Sequence, residues 1–408
     1  MREAVLHLSG FYDEKFYGAN QRAKEIVTMA DFNFRVQRVI ENEIAVIQDQ
    51  LKRNGVDLLH GTGQFVDTHH VRVGNSAGFS DLRGDFIIIA TGTKPAANPK
   101  VPINGCTIID SDQILTMPRL PKKVHRRRWR RHRRRVRLHV CHARRARHHR
   151  GKAPAPTRIR RLRNGRSPHL QHARPSRHHA PERRSRKRPG IRRRQVIANL
   201  ASKKRVIGDA LLYAVGRQGN IDSLNLAAAG VLSDERGRIK VDADYRTAQP
   251  HIFAVGDVIG FPSLASVSME QGRIAAARAF ALDVKSDPAG YPYGIYTIPQ
   301  ISFIGKTEEQ LTDEDVPYEV GVAYYREIAR GQISGQTEGR LKLLFHRESL
   351  ELLGVHIFGE DAAELLHIGQ AVFLLKGKVT YFKDTVFNYP TLAECYKAAA
   401  FNGLNRLT

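Results

Sequence analysis

One stretch in the middle constrains this 408-residue chain more than any other feature. From His125 the sequence turns into "HRRRWRRHRRR". Through Arg194 it holds 29 of the chain's 66 lysines and arginines against a single acid, Glu182. Apolar residues are too sparse there to offset the entropy lost on ordering, so 125–194 is predicted to be disordered. The rest of the chain carries 37 bases against 39 acids, so the formal charge of +26 belongs to the segment and not to the folded remainder. A basic surface built to hold nucleic acid combines its charge with stacking aromatics. The segment has one aromatic residue, Trp129, and no amphipathic period. Nucleic-acid binding is expected only as a non-specific, salt-sensitive property of 125–194.

The flanking sequence has ordinary globular character. Cys106, Cys141 and Cys395 are far apart and form neither a disulfide framework nor a Cys-x-x-Cys pair, which points to a reducing, cytoplasmic setting. No apolar run approaches the roughly 20 residues a membrane-spanning helix needs. His346, His356 and His367 have no Cys or carboxylate at ligand spacing and read as strand or helix surface residues, so no metal site is expected.

The periodicity of "FRVQRVIENEIAVIQDQLKRNG" predicts a helix closed by Gly55, followed by strands within "VDLLHGTGQFVD" and "HHVRVG". Three later stretches share one form. "FIIIATGTKP", "LLYAVGRQGN" and "HIFAVGDVIG" each run an apolar strand into Gly or Gly-Asp. Ligands of doubly wound parallel sheets sit at such carboxyl ends, where small residues let the backbone come close. "SLASVSMEQGRIAAARAFAL" then predicts a helix. "GRLKLLFHRESLELLGVHIFG", two strands about a turn, and the helical "EDAAELLHIGQAVFLLKGK" predict a separate α+β domain.

In this order and spacing, those motifs and the closing "FNYPTLAECYKAAAFNGLNRL" resemble the pyridine nucleotide-disulfide oxidoreductase flavoproteins, and within them the soluble FAD-containing pyridine nucleotide (NAD(P)+) transhydrogenases. The resemblance covers 1–124 and about 196–408. It implies an α/β flavoprotein with two dinucleotide-binding, Rossmann-like domains and a C-terminal α+β dimerisation domain. Residues 1–124 and 221–288 would form the FAD-binding domain, 195–220 the end of the NAD-binding domain, and 289–408 the face of a cytoplasmic homodimer. By resemblance, the FAD contacts fall on Gly63, Ala90, Thr91, Gly92, Gly256, Asp257 and Ala265, and Gly216 contacts the nicotinamide nucleotide. A carboxylate at a strand tip such as Asp257 can accept hydrogen bonds from ribityl hydroxyls. The implied activity is flavin-mediated hydride transfer between NADPH and NAD+, of the Si-specific type, with NAD(H) and NADP(H) as substrates. No catalytic side chain is assigned.

The disulfide reductases of the family carry a His before Pro in H-P-x-x-x-E. Here "FNYPTLAE" puts Tyr389 at that position and keeps Glu394. Tyrosine ordinarily titrates near about 10, so it is a poor base for thiol chemistry. Two alternatives stand beside the transhydrogenase: a dihydrolipoamide dehydrogenase-like reductase, and an Arg-rich nucleic-acid-binding protein on a degenerate scaffold.

Directly after "PKKV" the family has a strand, G-x-G-x-x-G and a helix, whose amides hold the NAD pyrophosphate. The genetic code relates that expectation to the arginine run. Histidine is CAY and arginine mostly CGN, so reading from the second base turns His-Arg into Ile or Thr, and Arg-Arg into Val, Ala, Asp or Gly. Trp129 followed by Arg130 gives Gly without ambiguity. From His125 to Val140 the shifted frame permits "IVVGGGVIGVEYACMS", with the glycine motif on codons 128–133. The expectation is that 125–194 is a frameshifted NAD-binding domain. Met1–Leu6 resembles the residues after the family's first β-α-β unit, so the chain is also expected to be a fragment without that flavin-binding unit. The chain as written is expected to be inactive and to have exposed sheet edges.

Overall fold

The computed structural model describes residues 2–9, 28–99, 101–117, 119–121, 124–128, 196–199, 205–284 and 290–407. The chain opens with α1 (Arg2–Ser9) and the long α2 (Met29–Arg53). Thr28 caps α2 reciprocally: its hydroxyl accepts the Asp31 N–H at 3.3 Å and the Asp31 carboxylate accepts the Thr28 N–H at 2.7 Å. The helix therefore starts five residues before the predicted stretch. It ends before Gly55, whose φ of +68° suits glycine.

An antiparallel meander follows, β1 (Thr62–Phe65), β2 (His70–Asn75) and β3 (Gly78–Arg83). Residues 56–60, expected to begin a strand, are exposed and irregular, and among the described residues no strand pairs with them. β4 (Ile87–Ile89) pairs in parallel with β12 (Ile252–Ala254), with Ile88 opposite Phe253. Among the described residues β12 is the only strand paired with β4, and Phe86 just before β4 and Ile88 within it are exposed. β5 (Thr93–Pro95) runs antiparallel to β11 (Arg217–Gly219).

A second parallel sheet has the order β6 (Ile108–Ile109), β10 (Ala210–Ala214), β7 (Val124–Arg128). Its core joins Ile109, Ile114 and Met117 to Ala210 and Leu212, and to Ala4, Val5, Met29 and Phe32 from the two helices. This packing unit draws residues from both sides of Val124. β7 also corrects the expectation of disorder for its first residues: 125–128 form a strand in register with 211–214. The edge of β10 offers backbone partners to any sequence. The remainder of that expectation, 129–194, lies outside the described residues. β8 (Val196–Asn199) and β9 (Arg205–Gly208) form a hairpin before β10.

After β12, α3 (Ala265–Ala279) leads to the C-terminal α+β domain. Its antiparallel sheet is built from β13 (Tyr293–Ile295), β14 (Gln300–Gly305), β15 (Tyr318–Tyr324), β16 (Arg340–His346) and β17 (Leu352–Gly359), in the order β13-β14-β17-β16-β15. Helices α4 (Glu308–Asp313), α5 (Ala329–Ile333), α6 (Ala362–Leu374), α7 (Thr380–Asp384) and α8 (Glu394–Leu404) complete it. Strand residues alternate in burial, and the inward set, with Tyr325, Phe382 and Tyr396, makes a closed core. The buried Tyr396 hydroxyl accepts the Gly369 N–H at 3.1 Å and donates to the Leu365 carbonyl at 2.9 Å. Arg2 ties α1 to this domain, its buried guanidinium donating to both Glu360 oxygens at 2.8 and 2.7 Å and to the Thr297 carbonyl at 2.9 Å. His356 departs from the expected surface role: its ring is half-buried, parallel to Phe303, with Nε2 at 2.9 Å from the Lys306 carbonyl.

Candidate functional site

Three strand ends build the site. β4 ends at Ile89 and opens into Ala90-Thr91-Gly92, with Ala90 and Thr91 exposed. β12 ends at Ala254 and turns through Val255 and Gly256 to Asp257. β10 ends at Ala214 and turns through Gly216 into β11. Gly92, Gly216 and Gly256 have φ of +65°, +148° and +77°, a region that favours glycine. A Cβ on Gly92 or Gly216 would meet nothing within 4 Å, so both backbones face open space. On Gly256 it would stand 3.2 Å from Ser268 of α3.

The turn at Gly256 is held from below. Buried Gln271 accepts the Gly256 N–H at 2.7 Å through Oε1, which fixes Asp257 at the tip beside the exposed N-terminus of α3 at Ala265. The Thr93 hydroxyl lies 3.4 Å from Asp257 Oδ2. Arg217 reaches Thr93 from the third tip, and Asn220 donates its N–H to the Gly92 carbonyl at 3.0 Å. The predicted residues Ala90, Thr91, Gly92, Gly216, Gly256 and Asp257 thus belong to three tips strapped together. Gly63 stands on a different sheet, opposite Val73, and joins this region through the Phe65 N–H to the Leu224 carbonyl. A groove of about 510 Å³ beside it, between the meander and 222–225, is lined by Gln64, Arg72, Phe79 and Asp222 and by none of the predicted residues.

Sequence reasoning missed Thr93, Arg217 and Gln271. Arg217 and Thr93 were inside quoted motifs, but only their pairing across β5 and β11 gives them a role. Nothing in the sequence links Gln271 to Gly256.

For a bound flavin the tips fit, offering open glycine backbone and a carboxylate held by its neighbours. Among the described residues no strand runs through G-x-G-x-x-G into a helix, so no pyrophosphate loop accompanies them. Among the same residues, no group of three His, Cys, Asp or Glu side chains is placed to hold a metal, and no helix is long and apolar enough to cross a membrane. In the C-terminal domain Tyr389 is 74% exposed, and the Glu394 carboxylate takes the Thr391 N–H at 3.4 Å.

Parallel strand pairs with open glycine tips and a separate antiparallel C-terminal domain define an α/β protein of the dinucleotide-binding class. Residues 183–272 match the pyridine nucleotide-disulphide oxidoreductase family, and 291–400 match that family's dimerisation domain. A soluble pyridine nucleotide transhydrogenase of Mycobacterium tuberculosis is 42% identical over 427 aligned positions, covering 100% of this chain and 87% of its own. One from Vibrio vulnificus is 40% identical, with coverages of 100% and 88%. LpdA of Mycobacterium tuberculosis superposes with a TM-score of 0.76 at 19% identity, covering 100% of this chain and 89% of that one. The flavoprotein disulfide reductase RclA of Escherichia coli gives a TM-score of 0.69 at 20% identity, with coverages of 98% and 89%. The chain belongs to the soluble pyridine nucleotide transhydrogenases, within the pyridine nucleotide-disulphide oxidoreductase family.

Proposed function

We propose that the gene encodes a cytoplasmic, homodimeric flavoprotein that moves a hydride between NADPH and NAD+, and that the chain as written has its NAD-binding domain out of frame. One observation carries the functional reading. The Gly216 turn, assigned to the nicotinamide nucleotide, is strapped directly onto the Thr91–Thr93 tip that faces Asp257, assigned to the flavin. Bound FAD supplies two-electron carrier chemistry. The chain's own part is placement. The Asp257 carboxylate would accept from ribityl hydroxyls, Ala90, Thr91 and Gly92 would hold the flavin through their open backbones, and Gly216 would present its backbone to the nucleotide. The N-terminus of α3 at Ala265 offers amides to an anionic group.

The frame proposal draws support from β7. His125, Arg126 and Arg127 are paired with Leu211, Leu212 and Tyr213, beside the buried core of β10. The shifted frame permits Ile, Val and Val at these positions, which a buried parallel strand favours. The domain division follows: 1–124 and 221–288 on the flavin side, the unit ending at 220 on the nicotinamide side, and 289–408 for dimerisation. Exposed Leu375, Val386 and Tyr389 give 289–408 apolar surface that a second copy would cover. Tyr389 in place of a His disfavours the dihydrolipoamide dehydrogenase-like reading, and confinement of the charge to one segment disfavours a nucleic-acid-binding protein.

The test is NADPH-dependent reduction of a thionicotinamide analogue of NAD+. The gene carried with its flanking DNA and with 125–194 returned to the shifted frame is expected to catalyse it, and the chain as written is not. Activity of the chain as written, or inactivity of the restored, folded, FAD-loaded protein, would contradict the proposal.

A further inference from the structure

We infer that Arg217 is a positioning residue, which clamps the Gly216 turn to the Thr91–Thr93 tip and, through the Thr93 hydroxyl, fixes the orientation of the Asp257 carboxylate. Its meaning for hydride transfer rests on the reading above. The clamp itself rests on geometry alone.

β5 and β11 contribute three residues each, and a ribbon that short is marginal by itself. The Arg217 guanidinium reinforces it from the side. Nε donates to Thr93 Oγ1 at 2.8 Å and Nη2 to the Thr93 carbonyl at 2.6 Å. Nη1 donates to Asp112 Oδ1 at 2.7 Å, and Nη2 reaches Asp112 Oδ2 at 3.3 Å. One planar fork therefore joins the β4 tip, the loop after β6 and the turn after β10. An ammonium group is a point donor on a flexible stem and cannot reproduce that fork.

The Thr93 hydroxyl has one proton to give. Because Nε already donates to its oxygen, the proton is directed away from Arg217, and Asp257 Oδ2 lies on that side at 3.4 Å. A cation, a hydroxyl and a carboxylate thus stand in series, each polarising the next. β11 is also held at its far end, where the Gly219 N–H donates to the Arg236 carbonyl at 2.9 Å and the backbone runs so close to Gly237 that a Cβ on Gly219 would lie 1.7 Å from its carbonyl oxygen. The Ala96 N–H to the Gly216 carbonyl, at 3.0 Å, closes the strap at its other end.

The experiment takes the FAD-loaded protein of the activity test, with 125–194 returned to the shifted frame, as parent and compares it with Arg217→Lys, Arg217→Met and Thr93→Val, reading amide hydrogen exchange, the Asp257 carboxyl ¹³C resonance and FAD binding by flavin fluorescence. Both Arg217 variants are expected to exchange at least tenfold faster over 215–220, with 340–359 unchanged. Thr93→Val and Arg217→Lys are expected to shift the Asp257 resonance alike and to weaken FAD binding tenfold or more, the double variant adding little. Parental exchange over 215–220 and an unmoved Asp257 resonance in Arg217→Lys would overturn the inference. A parent chain that binds no FAD counts against the flavin reading, while exchange and the ¹³C resonance still decide the role of Arg217.

Discussion

The two described cysteines show how surroundings, and not residue type, set reactivity. Cys106 is exposed, whereas Cys395 is buried in the C-terminal core, where burial pushes its thiol up to about 12. Only the thiolate reacts with alkylating agents. Iodoacetamide at pH 8 is therefore expected to modify Cys106 and leave Cys395 untouched until the domain unfolds, as peptide mass mapping would show. Modification of native Cys395 would contradict this core. The site follows the same rule. Asp257 and the glycines at the tips could be read from the sequence because each ends an apolar run. Arg217 and Gln271 could not, since their partners lie 124 and 15 residues away and no periodicity connects them.

At the scale of elements, the C-terminal sheet and α8 meet so closely that a Cβ on Gly321 of β15 would stand 2.0 Å from the Ala399 carbonyl oxygen. Gly321→Ala is expected to destabilise this domain by about 1–3 kcal/mol, measured by urea unfolding, because the backbones must move apart. His356 on β17 gives the same domain a pH dependence. Burial holds its folded-state pKa below the ordinary value, and the charge of Lys342 acts in the same direction against the Lys306 carbonyl. Above about 6.5 the ring is neutral in both folded and unfolded chains. As the pH falls below that value the unfolded chain takes up a proton that the folded one resists, so stability is lost. His356→Gln is expected to flatten this part of the melting-temperature profile as the pH falls below about 6.5. A profile unchanged by the substitution would rule out that role. The strands of this sheet were readable because they alternate. Residues 56–60 had strand-like composition but have no strand partner among the described residues, and pairing is a property only the fold supplies.

For the whole molecule, the described parts do not close on themselves. β4 has an unpaired edge among the described residues, Phe261 is 81% exposed, and Phe86, itself exposed, packs edge-to-face on the exposed Phe280. Open apolar edges favour association, so the chain as written is expected to sediment as aggregates at micromolar concentration. A monodisperse profile in analytical ultracentrifugation would count against that expectation. The overall architecture was legible because strand tips keep their order and spacing along the chain. The NAD-binding unit is proposed from codons alone, because as written the strand paired with β10 reads His-Arg-Arg-Arg beside buried Leu212. The most direct measurement is the nucleotide sequence of the gene across codons 120–200, read in all three frames. The account predicts a frame in which codons 125–140 encode an apolar strand, G-x-G-x-x-G and a helix start, with the frame change near codon 124 and its reversal near codon 195. A gene whose alternative frames encode no glycine motif at codons 128–133 would contradict it.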